Sequence, residues 1–309
     1  TTPSTDFNYG GATEFCLGTT NPVATITGAA GGTFSATGGL MVDANTGEID
    51  LSTATAGNYQ VTYTPSSNWH QMGQGIYGES PYDYLGNKPT SVSINSDGSR
   101  IAMGAYFCCH TLPNTTGSRS GQVIIYEKVG NSWVQLGQGI EGESLGDYSG
   151  TRVSLSSDGN IIAIGALEND GNGSNSGHVR VFNWDGTSWS QIGQDIDGEA
   201  ADDQSGGAVS VNAAGDRVII GARYNDGNGS DAGHVRIFNW NGTAWTQLGT
   251  DIDGGEANGH SGNSVSMNAA GNIVAIGAPN VSNAKGSVKI YNWNGNSWSQ
   301  IGQNIYGEA

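Results

Sequence analysis

The chain has 309 residues, enough for one large domain or two smaller ones with a true hydrophobic core. Its 28 acidic residues against 11 basic ones leave a net charge of −17, a field that repels a phosphate backbone and argues against nucleic acid as a partner. No apolar run reaches the roughly 18 residues that a membrane-crossing helix needs, so no transmembrane segment is expected; 51 glycines among short Val/Ile runs point instead to an all-β chain.

No basic stretch followed by an apolar one opens the chain, which leaves a mature secreted form or a cytosolic origin. Residues 1–66 contain four strand candidates, VATITG, GTFSA, GEIDL and GNYQVTYT, separated by Gly, Asn and Thr turns. That is the rhythm of a small β-sandwich. The three cysteines, Cys16, Cys108 and Cys109, are too few for a disulfide framework. Whether the vicinal pair closes a ring or remains two thiols stays open, and Cys108-Cys109-His110 lacks the second cluster that a zinc site would have.

Residues 67–309 repeat. Trp69, Trp133, Trp189, Trp245 and Trp298 are each followed by Gln two residues on and Gly four on, at spacings of 64, 56, 56 and 53 residues. A period near 50 built from short strands predicts the blades of a β-propeller. Each unit reads as four strands, A to D, illustrated by GGAVSVNAAG, DRVIIGA, GHVRIFNW and TAWTQLGTDI. Strand B is apolar throughout, as a strand buried on both faces should be. C turns into D at Asp185-Gly186, Asn241-Gly242 or Asn294-Gly295, which predicts two-residue hairpins. The tryptophans read as wedges between blades rather than as ligand contacts. A first D strand at Trp69 stands alone before four complete sets, so an arc of a larger ring that continues past Ala309 is expected, with a closed four-bladed ring as the alternative.

Two resemblances sharpen this. The stretch from ATITGAAGGTFSATGG to AGNYQVTYT resembles the immunoglobulin-like modules of secreted surface proteins from gliding, outer-membrane bacteria. In those modules a cysteine placed like Cys16 commonly has a partner after the YT strand, whereas here Pro65-Ser66-Ser67-Asn68 leads straight to Trp69. From 69 onward, each junction runs ten residues from Ile to Gly (Ile76 to Gly86, Ile140 to Gly150, Ile196 to Gly206, Ile252 to Gly262). A Gly-Ala follows at 104–105, 165–166, 221–222 and 277–278. This resembles FG-GAP repeats, the blades of integrin-α-like propellers and of many bacterial surface proteins. The Phe before the Gly is replaced by Leu85 or Ser, and the family's calcium loop between A and B is a tight turn holding one acid (Asp97, Asp158, Asp216) or none. The resemblance implies a secreted or cell-surface location, cargo handled by an outer-membrane secretion machinery, and a C-terminal sorting domain beyond this chain.

Alternating hairpins put the A–B and C–D turns at one end of every blade and the B–C and D–A connections at the other. The B–C loops, at 106–120, 167–176, 223–232 and 279–285, vary in length, and variable loops on a rigid scaffold are where binding is expected. Tyr106, Phe107, His110 and Arg119 of the first loop and Arg223 and Tyr224 of the third are the candidate contacts for an extracellular glycan or protein ligand. Asp170 and Asp226 in two NDGNGS loops, and Asp83, Asp147 and Asp203 at the junctions, are weak metal candidates; none forms the carboxylate-rich loop that calcium needs, so no cofactor is expected. His178 and His234 occupy one equivalent strand position and read as parts of the blade. With no nucleophile elbow, P-loop, dinucleotide fingerprint or Asp-box, the chain is expected not to be an enzyme. The sequence thus favours an adhesion or recognition protein, against a ligand-free spacer or a glycosidase or lyase acting in the central channel.

Overall fold

The computed structural model describes residues 7–17, 19–27, 31–64, 71–78, 83–88, 91–108 and 119–308. The chain divides into two compact units, Thr1–Met72 and Gly73–Ala309. Among the described residues no helix is long and apolar enough to cross a membrane.

In the first unit β1 (Phe7–Asn8) pairs antiparallel with β2 (Thr25–Ile26), and β3 (Thr33–Ala36) with β4 (Val61–Thr64). The predicted GEIDL strand is reduced to one bridge, Val42 to Ile49. Asp50 N to Met41 O and Asp43 N to Glu48 O make that bridge, while Ile49 N is engaged elsewhere, donating to Pro22 O. Phe34, Ile49, Leu51 and Tyr63 form the small core, with Phe7 edge-on to Phe34 at 5.3 Å.

The second unit is a β-propeller segment of four sheets, each with the same order. The first holds β5 (Val92–Ile94), β6 (Arg100–Ala105), β7 (Gln122–Val129), β8 (Ser132–Gln135) and β9 (Ile140–Glu141). The second holds β10 (Arg152–Leu155), β11 (Ile161–Ala166), β12 (His178–Trp184), β13 (Trp189–Gln191) and β14 (Ile196–Asp197). The third holds β15 (Ala208–Val211), β16 (Arg217–Ala222), β17 (His234–Trp240), β18 (Trp245–Gln247) and β19 (Ile252–Asp253), and the fourth β20 (Ser264–Met267), β21 (Ile273–Ala278), β22 (Ser287–Trp293), β23 (Trp298–Gln300) and β24 (Ile305–Tyr306). The A, B and C strands expected from the pattern are thus present four times.

Strand D differs from expectation. It is two short pieces, both paired with strand C: β13 and β14 on β12, for example. The break serves the next blade. In it Gly193 has φ +75°, and a Cβ there would lie 2.6 Å from Trp240; Gln194 Nε2 donates to Trp245 O at 2.9 Å. The C–D turns differ as well. Trp184 pairs with Trp189 across a four-residue loop, in which the Asp185 carboxylate accepts the N–H groups of Thr187 and Ser188. This side-chain cap stabilises a longer loop than an Asp-Gly pair alone would specify.

Blades are joined three ways. Trp189 Nε1 donates to Leu136 O, Trp245 Nε1 to Ile192 O and Trp298 Nε1 to Leu248 O, each across to the preceding blade at 2.8–2.9 Å. A-strand serines do the same on the inner side: Ser93 Oγ accepts from Leu155 N, Ser154 Oγ from Val211 N and Ser210 Oγ from Met267 N. Between these seams lie the apolar cores, such as Val179, Val181 and Ile196 of one blade against Val209, Val218, Ile220 and Trp245 of the next.

Candidate ligand-binding face

Strands B and C register so that Ala166 lies opposite His178, and His178 opposite Asp197. B–C loops and D–A junctions therefore share one end of each blade. Further bonds tie them, Ser149 N to Ser120 O and Ser205 N to Ser176 O, both 2.9 Å.

On this face four aromatic rings converge from two blades. Tyr106 and Phe107, after β6, lie 4.7 Å apart; Tyr84 of the junction before β5 is 5.1 Å from Phe107, and Tyr148 of the next junction is 5.5 Å from it. Arg119 lies 4.9 Å over the Phe107 ring and its Nη1 donates to Tyr148 Oη at 2.9 Å, while Lys88 sits 5.2 Å over Tyr106. Tyr84, Tyr148 and Arg119 all have φ near +50°, a left-handed conformation uncommon for non-glycine residues. Tyr106 is buried and supports the others; Tyr84 is 42% exposed and Arg119 is exposed. Glu168, at the Phe107 position of the next blade, is drawn in electrostatically by Arg119 and Lys88; burial outweighs them and holds its carboxyl above the usual range. Two blades from the first cluster Arg223 lies 4.6 Å over Tyr224, its Nη2 donates to Gln204 Oε1, and Tyr224 is edge-on to His260 at 5.0 Å.

Five of the six expected contacts thus fall on this face, in two patches; His110 lies outside the described residues, as does Cys109. Tyr84, Tyr148 and Lys88 were not anticipated. Tyr84 and Tyr148 sit two residues before the junction glycines Gly86 and Gly150, where the later junctions carry Gln204 and His260, and nothing at that regular position marks them as meeting the loop.

The junction acids are not gathered into a common centre. Asp147 Oδ2 accepts from Ser144 N and Asn169 Nδ2, both 3.0 Å, and Asp203 Oδ2 from Ala200 N and Asn225 Nδ2; both acids are buried, as is Asp83. Asp147 and Asp203 each pin an NDGNGS loop to its junction. Asp170 and Asp226 are exposed and close those loops by accepting from Asn175 N and Asp231 N at 2.8 Å. Asp203→Ala should cost about 1–3 kcal/mol by orphaning the buried Asn225 amide, and Asp226→Ala about 0.5 kcal/mol or less, as read from urea unfolding midpoints.

A different set of side chains does converge. His178 Nδ1 faces Glu143 Oε2 at 4.0 Å and Asp195 Oδ2 at 3.9 Å; His234 Nδ1 faces Glu199 Oε2 at 3.7 Å and Asp251 Oδ2 at 3.9 Å. Arg180 and Arg236 approach the outer oxygens of Glu143 and Glu199 at 3.4 and 3.5 Å. Burial, and then the neighbouring arginine, hold both imidazoles below their usual pKa.

The FG-GAP repeat family matches residues 142–182. That stretch is one unit, from the junction after β9 to the end of strand C. The FG-GAP Gly-Ala has a physical role here: a Cβ on Gly165 would lie 2.2 Å from Gly206 O of the following blade. No curated protein matches the chain. Similar solved structures include hydrazine synthase of Kuenenia stuttgartiensis (10% identity, 77% of this chain and 53% of that one, TM-score 0.43). They also include the open-velcro β-propeller domain of the Trilobed protease from Pyrococcus furiosus (12%, 69% and 57%, 0.39) and the periplasmic gluconolactonase of Pseudomonas aeruginosa (12%, 71% and 57%, 0.44). The chain spans little more than half the length of each, and likeness at this level shows the fold alone. It does correct one expectation. The chain was read as no enzyme because it lacks familiar catalytic motifs, yet propellers of similar fold include a gluconolactonase, so a propeller without those motifs is not thereby excluded from catalysis.

Proposed function

We propose that this chain is a recognition protein of a bacterial cell surface or secreted fraction that holds an acidic glycan against the Tyr84–Phe107–Tyr148 rings and Arg119. The supporting observation is that cluster: aromatic faces offer apolar area to a sugar ring, and the adjacent guanidinium and Lys88 offer charge to its carboxylate or sulfate. Arg119 and Lys88 are the charges such a partner would pair with, in competition with Glu168 beside them. A location outside the cell, secretion through an outer-membrane machinery and an immunoglobulin-like identity for residues 1–66 rest on the sequence resemblance.

The reading includes further blades. Val288 and Ile305 of the last blade are 39% and 57% exposed, where their equivalents Val235 and Ile252 are 0% and 7%. Val92 and Ile94 of the first are exposed where Val153 and Leu155 are buried. Both outer faces therefore have the composition of an inter-blade core, which supports an arc of a larger ring.

Binding to an array of neutral, uronate-bearing and sulfated glycans tests the reading. The chain should retain acidic glycans, and Tyr84→Ala and Arg119→Gln should each weaken retention at least about tenfold, the loss expected for one aromatic or charged contact. Retention unchanged in both variants would remove this face as the site.

A further inference from the structure

We propose that Glu143–His178–Asp195 and Glu199–His234–Asp251 are twin sites for a first-row transition-metal dication such as Zn²⁺, each joining two neighbouring blades. Every member of the second set lies 56 residues after its counterpart in the first, so one three-dimensional arrangement is built twice. In each, the glutamate comes from the D–A junction leaving one blade, the histidine from strand C of the next and the aspartate from the break between the two pieces of its strand D.

The imidazoles carry the inference. His178 and His234 are 1% and 2% exposed, and neither ring hydrogen-bonds to any described residue, yet each Nδ1 is aimed at two carboxylate oxygens 3.7–4.0 Å away. A buried polar ring so placed ordinarily finds a partner. These separations are too long for hydrogen bonds and slightly wider than the roughly 3.4 Å between donors that each lie about 2.1 Å from a tetrahedral ion. The three donors of each set lie within 4.8 Å of one another, and closing the gaps falls to Glu143 and Asp195, whose side chains are 42% and 33% exposed and which leave the ion open to solvent.

Surrounding groups hold the donors in place. Gln191 Nε2 donates to Asp195 Oδ1 and Gln247 Nε2 to Asp251 Oδ1, both at 2.6 Å, leaving the second oxygen of each to face the ring. Arg180 and Arg236 do the same for the glutamates. Orientation by such outer partners is usual for metal ligands. Two carboxylates with buried Asp147 or Asp203 nearby outweigh the single arginine, so the local charge suits a dication. An imidazole among the donors selects against Ca²⁺ and Mg²⁺, which take oxygen shells, and for zinc or its neighbours.

The other two blades provide internal controls. The histidine position is Gln122 in the first and Ser287 in the fourth, and the aspartate position is Gly139 and Asn304. Stoichiometry should therefore be two.

The chelator-treated full chain, titrated with ZnSO₄ by calorimetry and measured for bound metal by mass spectrometry, should take up two equivalents, and its melting temperature should rise with zinc. CaCl₂ at the same concentrations should do neither. His178→Gln should leave one equivalent and His178→Gln/His234→Gln none. Because a buried imidazole also packs its blade, Glu143→Gln/Glu199→Gln repeats the test from the surface and should weaken zinc binding at least about tenfold with the fold retained. Absence of zinc uptake, calcium uptake equal to zinc, or unchanged affinity in the glutamate pair would each overturn the proposal.

Discussion

Gly221→Ala should lower stability by about 3 kcal/mol, while Gly277→Ala, at the same place in the last blade, should cost less than about 1 kcal/mol. A Cβ on Gly221 would lie 2.0 Å from Gly262 O and 2.9 Å from its carbonyl carbon, both backbone atoms of the adjoining blade that move only if the blades part. On Gly277 the nearest atom is Ser264 Oγ, at 2.2 Å, which can rotate away. Neither glycine has positive φ, so the difference isolates sterics from backbone strain. For a unit of this size about 3 kcal/mol corresponds to a melting temperature lower by roughly 6–12 °C. Thermal unfolding followed by circular dichroism reads it, and equal shifts in the two variants would mean that the Gly-Ala step does not act through the next blade.

Trp245→Ala is expected to cost about 3–5 kcal/mol. The ring is buried among Val211, Val218 and Ile220 of its own blade and Val179 and Ile196 of the preceding one, 5.3 Å from Trp240. Its removal empties that wedge and leaves Ile192 O without the indole donor. Trp298→Ala, which breaks the equivalent bond to Leu248 O from a half-buried position, should cost less. Urea unfolding by tryptophan-independent far-UV signal separates the two.

Much of this was legible in the chain. Period-two alternation and the apolar B strands gave the A, B and C strands, because local pleat and burial dictate them. Division of strand D was not legible: Gly193 and Gln194 look like strand continuation, and only the approach of Trp240 and Trp245 from 47 and 51 residues away explains the break. The same applies to the candidate face. Phe107 and Arg119 could be picked from an irregular loop, whereas Tyr84 and Tyr148 belong to regular junctions and join them only through folding. Repetition admits two readings in one place. His178 and His234 were read as scaffold because they recur, but recurrence is equally what a site built once per blade produces.

The backbone contact between Gly165 and Gly206, repeated between Gly221 and Gly262, bears on how such chains change length. Each contact has an upstream half on strand B and a downstream half at the following junction. A genetic duplication running from one Trp to the next carries one half of each kind and so mates with its neighbours on both sides without any new surface. A duplication of a fraction of a unit leaves a mismatched half. Copy number in this propeller is therefore free to drift by whole units and is resisted for fractions of one, which fits the near-identity of the stretches at 182–201 and 238–257.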